Sequence, residues 1–150
     1  MLLPVEPPAV LSLDTCRHEI ETLHEFFVDW YTGQTPGDTF DRVERALSSD
    51  FQMVTPDGIR REYADVVDGI DNQYAGREPG AFDIEIRNVE TRYMGEDYAL
   101  VRYEEWHETP NETTGRLSTV LFEENPRAPG EVVWLDLHET WLEGPRSDDE

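Results

Sequence analysis

Hydrophobic periodicity changes once along this chain, near Gly80, and that change constrains the fold more than any other feature. Before it, apolar side chains recur every three or four residues, the spacing of one helical face; after it they alternate, the spacing of a strand. Ile20, Leu23, Phe27 and Trp30 form the first helical stripe, with Asp14 or Thr15 as cap and Gly33 where a helix should stop. Phe40, Val43 and Leu47 predict a short second helix over 38–47, and Tyr63, Val66, Val67, Ile70 and Tyr74 a third that ends near Gly76. Between them, residues 51–54 read as a short strand, and Thr55, Pro56, Asp57 and Gly58 as a chain reversal. The second half offers four long strands, 82–93, 98–109, 116–124 and 132–142, joined by short turns. Helices first and a meander second predict an α+β fold, three N-terminal helices packed on a curved, mostly antiparallel sheet.

A chain of 150 residues has room for one domain with a real core. The expected layout is a flexible segment over 1–12, a single domain over 13–143 and an acidic, disordered tail over 144–150. With 34 acidic residues against 12 basic ones the formal charge is -22, and every basic residue is Arg. That field repels phosphate backbones and anionic membrane surfaces, so neither nucleic acid nor membrane is an expected partner. A Lys-free acidic surface suits a halophilic cytosol, where molar salt screens self-repulsion. The N-terminal residues have no basic region before an apolar stretch, and nowhere do about 18 apolar residues run together, which predicts a cytoplasmic protein. Cys16 stands alone inside a helical pattern and is expected to be buried filler.

Alternation sorts the second long strand into Val101, Tyr103, Glu105 and His107 on one face and Leu100, Arg102, Glu104 and Trp106 on the other. A hairpin closed over 110–115 would pair His107 with Arg116, Glu105 with Ser118, Tyr103 with Val120 and Val101 with Phe122. One face then carries polar Tyr103, Glu105, His107, Arg116 and Ser118 at one end and apolar Val101, Val120 and Phe122 at the other. Convergent polar groups above an apolar floor are what a ligand pocket needs. The last strand offers two inward sets, Leu135, Leu137, Glu139 and Trp141 or Trp134, Asp136, His138 and Thr140, because a one-residue slip exchanges them.

Several strings resemble the nuclear transport factor 2-like superfamily over residues 13–144. The Pro56-Asp57-Gly58 turn is similar to that of SnoaL-like members. Met94-Gly95-Glu96-Asp97, followed by Ala99 and Tyr103, resembles the calmodulin-dependent kinase association domain, as do residues 134–138. The resemblance implies a cystatin-like cone whose helices cover the concave face of the sheet, a pocket between them, and a homodimer through the convex face. It turns Tyr103, Glu105, His107, Ser118, Val120, Phe122, Leu135, Leu137 and Glu139 inward, and Trp106, Thr119, Trp134 and His138 outward as interface candidates. Where the association domain presents pocket arginines this chain has Glu105, Val120 and Glu139, which favours a neutral or cationic, partly apolar ligand. The catalytic carboxylate pattern of ketosteroid isomerase is not matched.

The candidate chemistry is proton transfer without a cofactor, as in an isomerase, cyclase or dehydratase. Glu105 beside apolar walls would act as base, His107 as proton shuttle, and Tyr103, Ser118 or Arg116 as oxyanion donors. Glu105 and Arg116 read equally as a cross-strand ion pair, so a non-catalytic ligand-binding or oligomerisation module stands beside the enzyme. Trp30 and Tyr74, among the aromatics near the helix ends, are candidates for the pocket mouth, and Leu137 and Trp141 of the first inward set are candidate ligand contacts. His107 with Glu108, and His138 with Glu139, point to opposite faces and so are not expected to bind metal.

Overall fold

Ser12, rather than Asp14 or Thr15, opens the first helix: its hydroxyl accepts the Thr15 backbone N–H at 3.1 Å and satisfies one of the free donors of the first turn. The computed structural model describes residues 11–145. Most of the N-terminal segment and of the acidic tail assigned from sequence therefore lies outside the described residues. Helix α1 spans Leu13–Tyr31 and stops where Gly33 adopts a left-handed φ of 71° and donates to Trp30 O. A 3-10 turn, Gly37–Thr39, precedes helix α2, Asp41–Ala46. The second helix is thus shorter than its apolar spacing predicts, and Leu47 has already turned to extended backbone.

Strand β1 consequently runs Leu47–Val54, four residues longer at its start than the apolar 51–54 signal. Thr55 N donates to Ile59 O and Gly58 N to Thr55 O, closing the expected reversal with Gly58 at φ 83°. The reversal feeds strand β2, Arg60–Glu62, which pairs antiparallel with β1. All three β2 residues are charged and exposed, so no alternation marks this strand in the sequence. Helix α3 spans Tyr63–Asp71, its entry tied by the Glu62 N–H donating to the Asp65 carboxylate at 3.3 Å. Strands β3 (Asp83–Met94), β4 (Tyr98–Glu108), β5 (Thr113–Glu124) and β6 (Val132–Glu143) form the meander. The sheet order is β2-β1-β6-β5-β4-β3, antiparallel throughout except that β1 lies parallel to β6. Helices on a mostly antiparallel sheet make the α+β fold that the change of periodicity implies.

Two details of register correct the sequence reading. Thr109 N donates to Glu112 O and Glu112 N to the Thr109 hydroxyl, so four residues close the β4–β5 hairpin and Thr113 already pairs with Glu108. Every expected pair is displaced by two: Glu105 lies opposite Arg116, Tyr103 opposite Ser118, and Val101 opposite Val120. A displacement of two leaves each side chain on its expected face. In β6, Phe122 pairs with Trp134 but Leu121 with Asp136, which leaves Leu135 as an extra residue. That bulge brings Trp134 to the inner face as well as Leu137 and Glu139.

The core lies where α1 crosses the inner face. Ile20, Leu23, Val101, Tyr103, Val120, Phe122 and Trp134 are buried there. Leu11 is also buried in the core, at the start of the described chain. Glu19 on α1 is fully buried, accepts Arg42 Nη2 at 2.7 Å and is held by the Trp134 indole N–H at 2.9 Å. Cys16 is buried too, its thiol pushed up to about 12 by desolvation and the nearby Glu19 charge. Among the described residues, no helix is long and apolar enough to cross a membrane.

Candidate functional site

Between α1, α3 and the inner sheet face lies a cavity of about 360 Å³. Its walls are apolar: Leu23, Phe27 and Tyr31 from α1, Val66 and Ile70 from α3, Met53 from β1, Ile84 from β3 and Leu137 from β6. While Thr55, Arg61, Asp65 and Gln73 line the cavity elsewhere, one group of polar side chains is gathered from four facing elements: His24 on α1, Glu105 and His107 on β4, Arg116 on β5 and Glu139 on β6. Parity puts them there. Glu105 and His107 are two apart on one strand, and the register brings Arg116 opposite Glu105 and Glu139 opposite Ser118.

The polar groups form two linked sets. In the first, Glu105 binds two imidazoles, His24 Nε2 at 2.9 Å through one oxygen and His107 Nε2 at 2.5 Å through the other. Burial alone would raise the Glu105 carboxyl, but His24 and His107 together hold it well below the usual carboxylate range. The expectation that apolar walls would make Glu105 a stronger base is corrected by these partners. In the second set, Glu139 accepts the Ser118 hydroxyl at 3.0 Å and lies 3.4 Å from Arg116 Nη1. Burial and the Glu105 charge push the Glu139 carboxyl up to about 7, against the opposing pull of Arg116, Ser118 and His24. A carboxyl poised there can both give and take a proton near neutrality. Arg116 stacks over the Trp141 ring at 5.0 Å, and its Nε is buried with no hydrogen-bond partner among the described residues.

Of the residues singled out from sequence, Glu105, His107, Arg116, Leu137 and Glu139 line the cavity, and so does Trp134, expected on the outer face. The others are placed differently. Ser118 is buried behind the cavity wall and orients Glu139. Tyr103 is fully buried, its phenol held well above its usual range by desolvation and by the Glu105 and Glu139 charges. Ser118 beside it acts in the opposite direction but is turned to Glu139, and among the described residues Tyr103 Oη has no partner in hydrogen-bonding geometry. Val120 and Phe122 belong to the closed core, because Trp134 packs over Phe122 at 4.9 Å and α1 seals that end of the sheet.

Trp30 and Tyr74 do not line the cavity. The Trp30 N–H donates to Ile70 O, the Tyr74 hydroxyl to Thr35 O, and their rings meet at 4.3 Å, clamping α1 to the end of α3. Trp141 sits at the edge, its indole N–H donating to Asp57 Oδ1. Of the interface candidates, Trp106, Thr119 and His138 lie on the outer face, whereas Trp134 is buried inside by the β6 bulge and its bond to Glu19. Phe27 and Tyr31, one helical turn apart, hold the cavity positions expected of Trp30 and Tyr74.

The main residue missing from the sequence reading is His24. It continues the buried stripe of α1, four residues after Ile20 and one after Leu23, so its position was readable, but a histidine adds nothing to an apolar count. Among the described residues no group of three or more His, Cys, Asp or Glu side chains is arranged to hold a metal ion.

Comparison with solved structures places this architecture in the NTF2-like class. An NTF-2-like protein of unknown function from Pseudomonas aeruginosa is 27% identical, with a TM-score of 0.78 over 85% of this chain and 98% of that one. The CaMKII hub of S. rosetta shares the fold at 14% identity, with a TM-score of 0.64 over 93% of this chain and 100% of its own. Within that class, residues 17–143 match the family described as sucrose-6-phosphate phosphohydrolase C-terminal, and the chain belongs to it. Curated relatives include probable sucrose-phosphatase 3a of Arabidopsis thaliana, 24% identical over 89% of this chain and 32% of its own length. Sucrose-phosphatase 1 of Nicotiana tabacum is 22% identical over 95% and 36%. The chain thus spans about a third of the length of these relatives.

Proposed function

We propose that this domain binds a small, partly apolar, neutral or cationic molecule in the cavity between helices and sheet, and exchanges protons with it through Glu139 and His107. The observation that carries this reading is a largely apolar cavity into which His24, Glu105, His107, Arg116 and Glu139 converge as one linked polar cluster from α1, β4, β5 and β6. Glu105 is occupied by two imidazoles, so the acid/base role assigned to it passes to Glu139, whose carboxyl sits at about 7, and to His107 at the cavity wall. Arg116 supplies the fixed positive charge that would steady an oxyanion. No cofactor enters this scheme. The names of the family and its relatives make a hydroxyl-rich sugar one member of the ligand set to be tried.

Thermal unfolding against neutral alcohols, sugars, cyclic ketones and organic amines tests the reading. A ligand that binds only the folded state raises the midpoint, and at a hundredfold excess over its Kd contributes about 2.7 kcal/mol. We expect at least one class to do so, and Leu137→Trp, which fills the cavity, to abolish the response. A flat response from all four classes contradicts the proposal.

A second reading, a homodimer formed through the outer sheet face, is favoured by the row of half-buried Leu100, Trp106, Leu117 and Leu121 on that face. It is compatible with the first, because cavity and row lie on opposite sides of the sheet.

A further inference from the structure

We infer that His24 is a buried imidazolium at neutral pH, and that its role is to neutralise Glu105 so that His107 in the ligand-free protein carries its hydrogen on Nε2 and offers its bare Nδ1 to the cavity as an acceptor. The inference deepens the ligand-binding proposal and rests on it for its purpose, but the protonation pattern is argued from the hydrogen bonds and charges around His24 and not from any ligand.

The argument starts from a carbonyl. His24 Nδ1 lies 2.6 Å from Ile20 O, one turn back on α1, and a carbonyl oxygen can only accept, so Nδ1 carries a hydrogen. His24 Nε2 lies 2.9 Å from Glu105 Oε1, and that contact also needs a proton between the two atoms. A neutral imidazole with its hydrogen on Nδ1 has none to give there. Either Glu105 is protonated or His24 carries both hydrogens. Glu105 also accepts from His107 Nε2 through its other oxygen, an arrangement suited to a carboxylate with two donors.

Among the described residues, the two ring nitrogens of His24 bond to Ile20 O and Glu105 Oε1, and aromatic rings pack around the imidazole. Phe27, Tyr103 and Trp134 present ring edges or faces at 5.4, 5.8 and 6.0 Å, and the Trp134 N–H is committed to Glu19. Burial opposes a charge on His24, but Glu105, the Ile20 carbonyl and the more distant Glu139 outweigh it and raise the imidazole above its ordinary value.

His107 is the other half of the balance. One hydrogen on Nε2 satisfies Glu105, and Nδ1 has no hydrogen-bond partner among the described residues. Phe82 packs edge-on at 5.4 Å and fixes the ring. With the Glu105 charge already matched by His24, the carboxylate holds the His107 tautomer, and the free nitrogen becomes the acceptor for an O–H or N–H on the bound molecule. His24 is therefore a positioning residue acting through Glu105, and the preferred ligand carries a hydroxyl or amide hydrogen rather than a carboxylate.

Imidazole nitrogen NMR on the ligand-free protein at neutral pH reads this directly, so it stands or fails independently of the ligand panel. We expect both His24 nitrogens to be protonated, His107 to be protonated at Nε2 and bare at Nδ1, and Glu105→Gln to remove the proton from His24 Nε2 alone. A bare His24 Nε2 or a protonated His107 Nδ1 in the wild type overturns the inference, as does retention of the His24 imidazolium in a folded Glu105→Gln. Should that variant not fold, the wild-type spectrum decides by itself.

Discussion

Glu139 joins stability and chemistry in one side chain. Its carboxyl ionises near 4.5 in an unstructured chain and at about 7 in the fold, so the folded state holds the extra proton between those values. Stability must then fall as pH rises from about 4.5 to about 7, because ionisation is harder inside than outside. The full displacement corresponds to at most about 3 kcal/mol. Chemical denaturation of wild type and Glu139→Gln at pH 5 and pH 8 checks this: the wild type should lose more than the variant over that interval, and equal losses would refute it. His24 and Glu105 act at the two ends of the range. Stability from the raised His24 is lost as pH climbs through its folded value, and stability from the depressed Glu105 is lost in acid. The cavity-facing places of Glu105 and His107 were legible because alternation in a strand is a local rule, whereas alternation left the face of Glu139 open and only the family resemblance turned it inward. The charge state of Glu105 was not, since it depends on His24, 81 residues away in sequence.

At the scale of elements, the faces of β4 and β5 were readable although their pairing was two residues out, since an even slip preserves the face. The fate of Trp134 was not, because the extra residue in β6 leaves no trace in its alternation. Strand β2 was hidden by its charged sequence, and Trp30 and Tyr74 were misplaced because the aromatics of a clamp between α1 and the end of α3 look in sequence like those of a cavity wall. The β4–β5 hairpin offers a test of close packing. Gly115 lies under the Trp106 ring, and a Cβ built there would come within 2.5 Å of ring atoms. The ring is held from its other neighbours by an N–H bond to Glu104 and by the Arg87 guanidinium at 4.9 Å. Gly115→Val should therefore destabilise the fold by about 1–3 kcal/mol, measured as a lowered denaturant midpoint with unchanged slope. A neutral result would show that Trp106 swings away freely.

For the whole molecule, the sheet divides labour between its faces. The inner one carries the cavity and the outer one the half-buried row proposed to join two copies. We expect light scattering in molar KCl to give twice the 17.4 kDa chain mass for the wild type and the single mass for Trp106→Glu. A monomeric wild type removes the dimer from the account and leaves the cavity untouched. A charge of -22 with no Lys also leads us to propose a high-salt cytoplasm as the working environment, tested by whether the thermal midpoint falls on transfer to dilute buffer.

The most direct measurement is methyl NMR of the free protein titrated with the compound giving the largest thermal response. The account predicts that the shifts concentrate at Leu23, Met53, Val66, Ile70, Ile84 and Leu137, the methyl-bearing wall of the cavity. Shifts confined to Leu100, Leu117 and Leu121 on the outer face, with the cavity methyls unmoved, would contradict it.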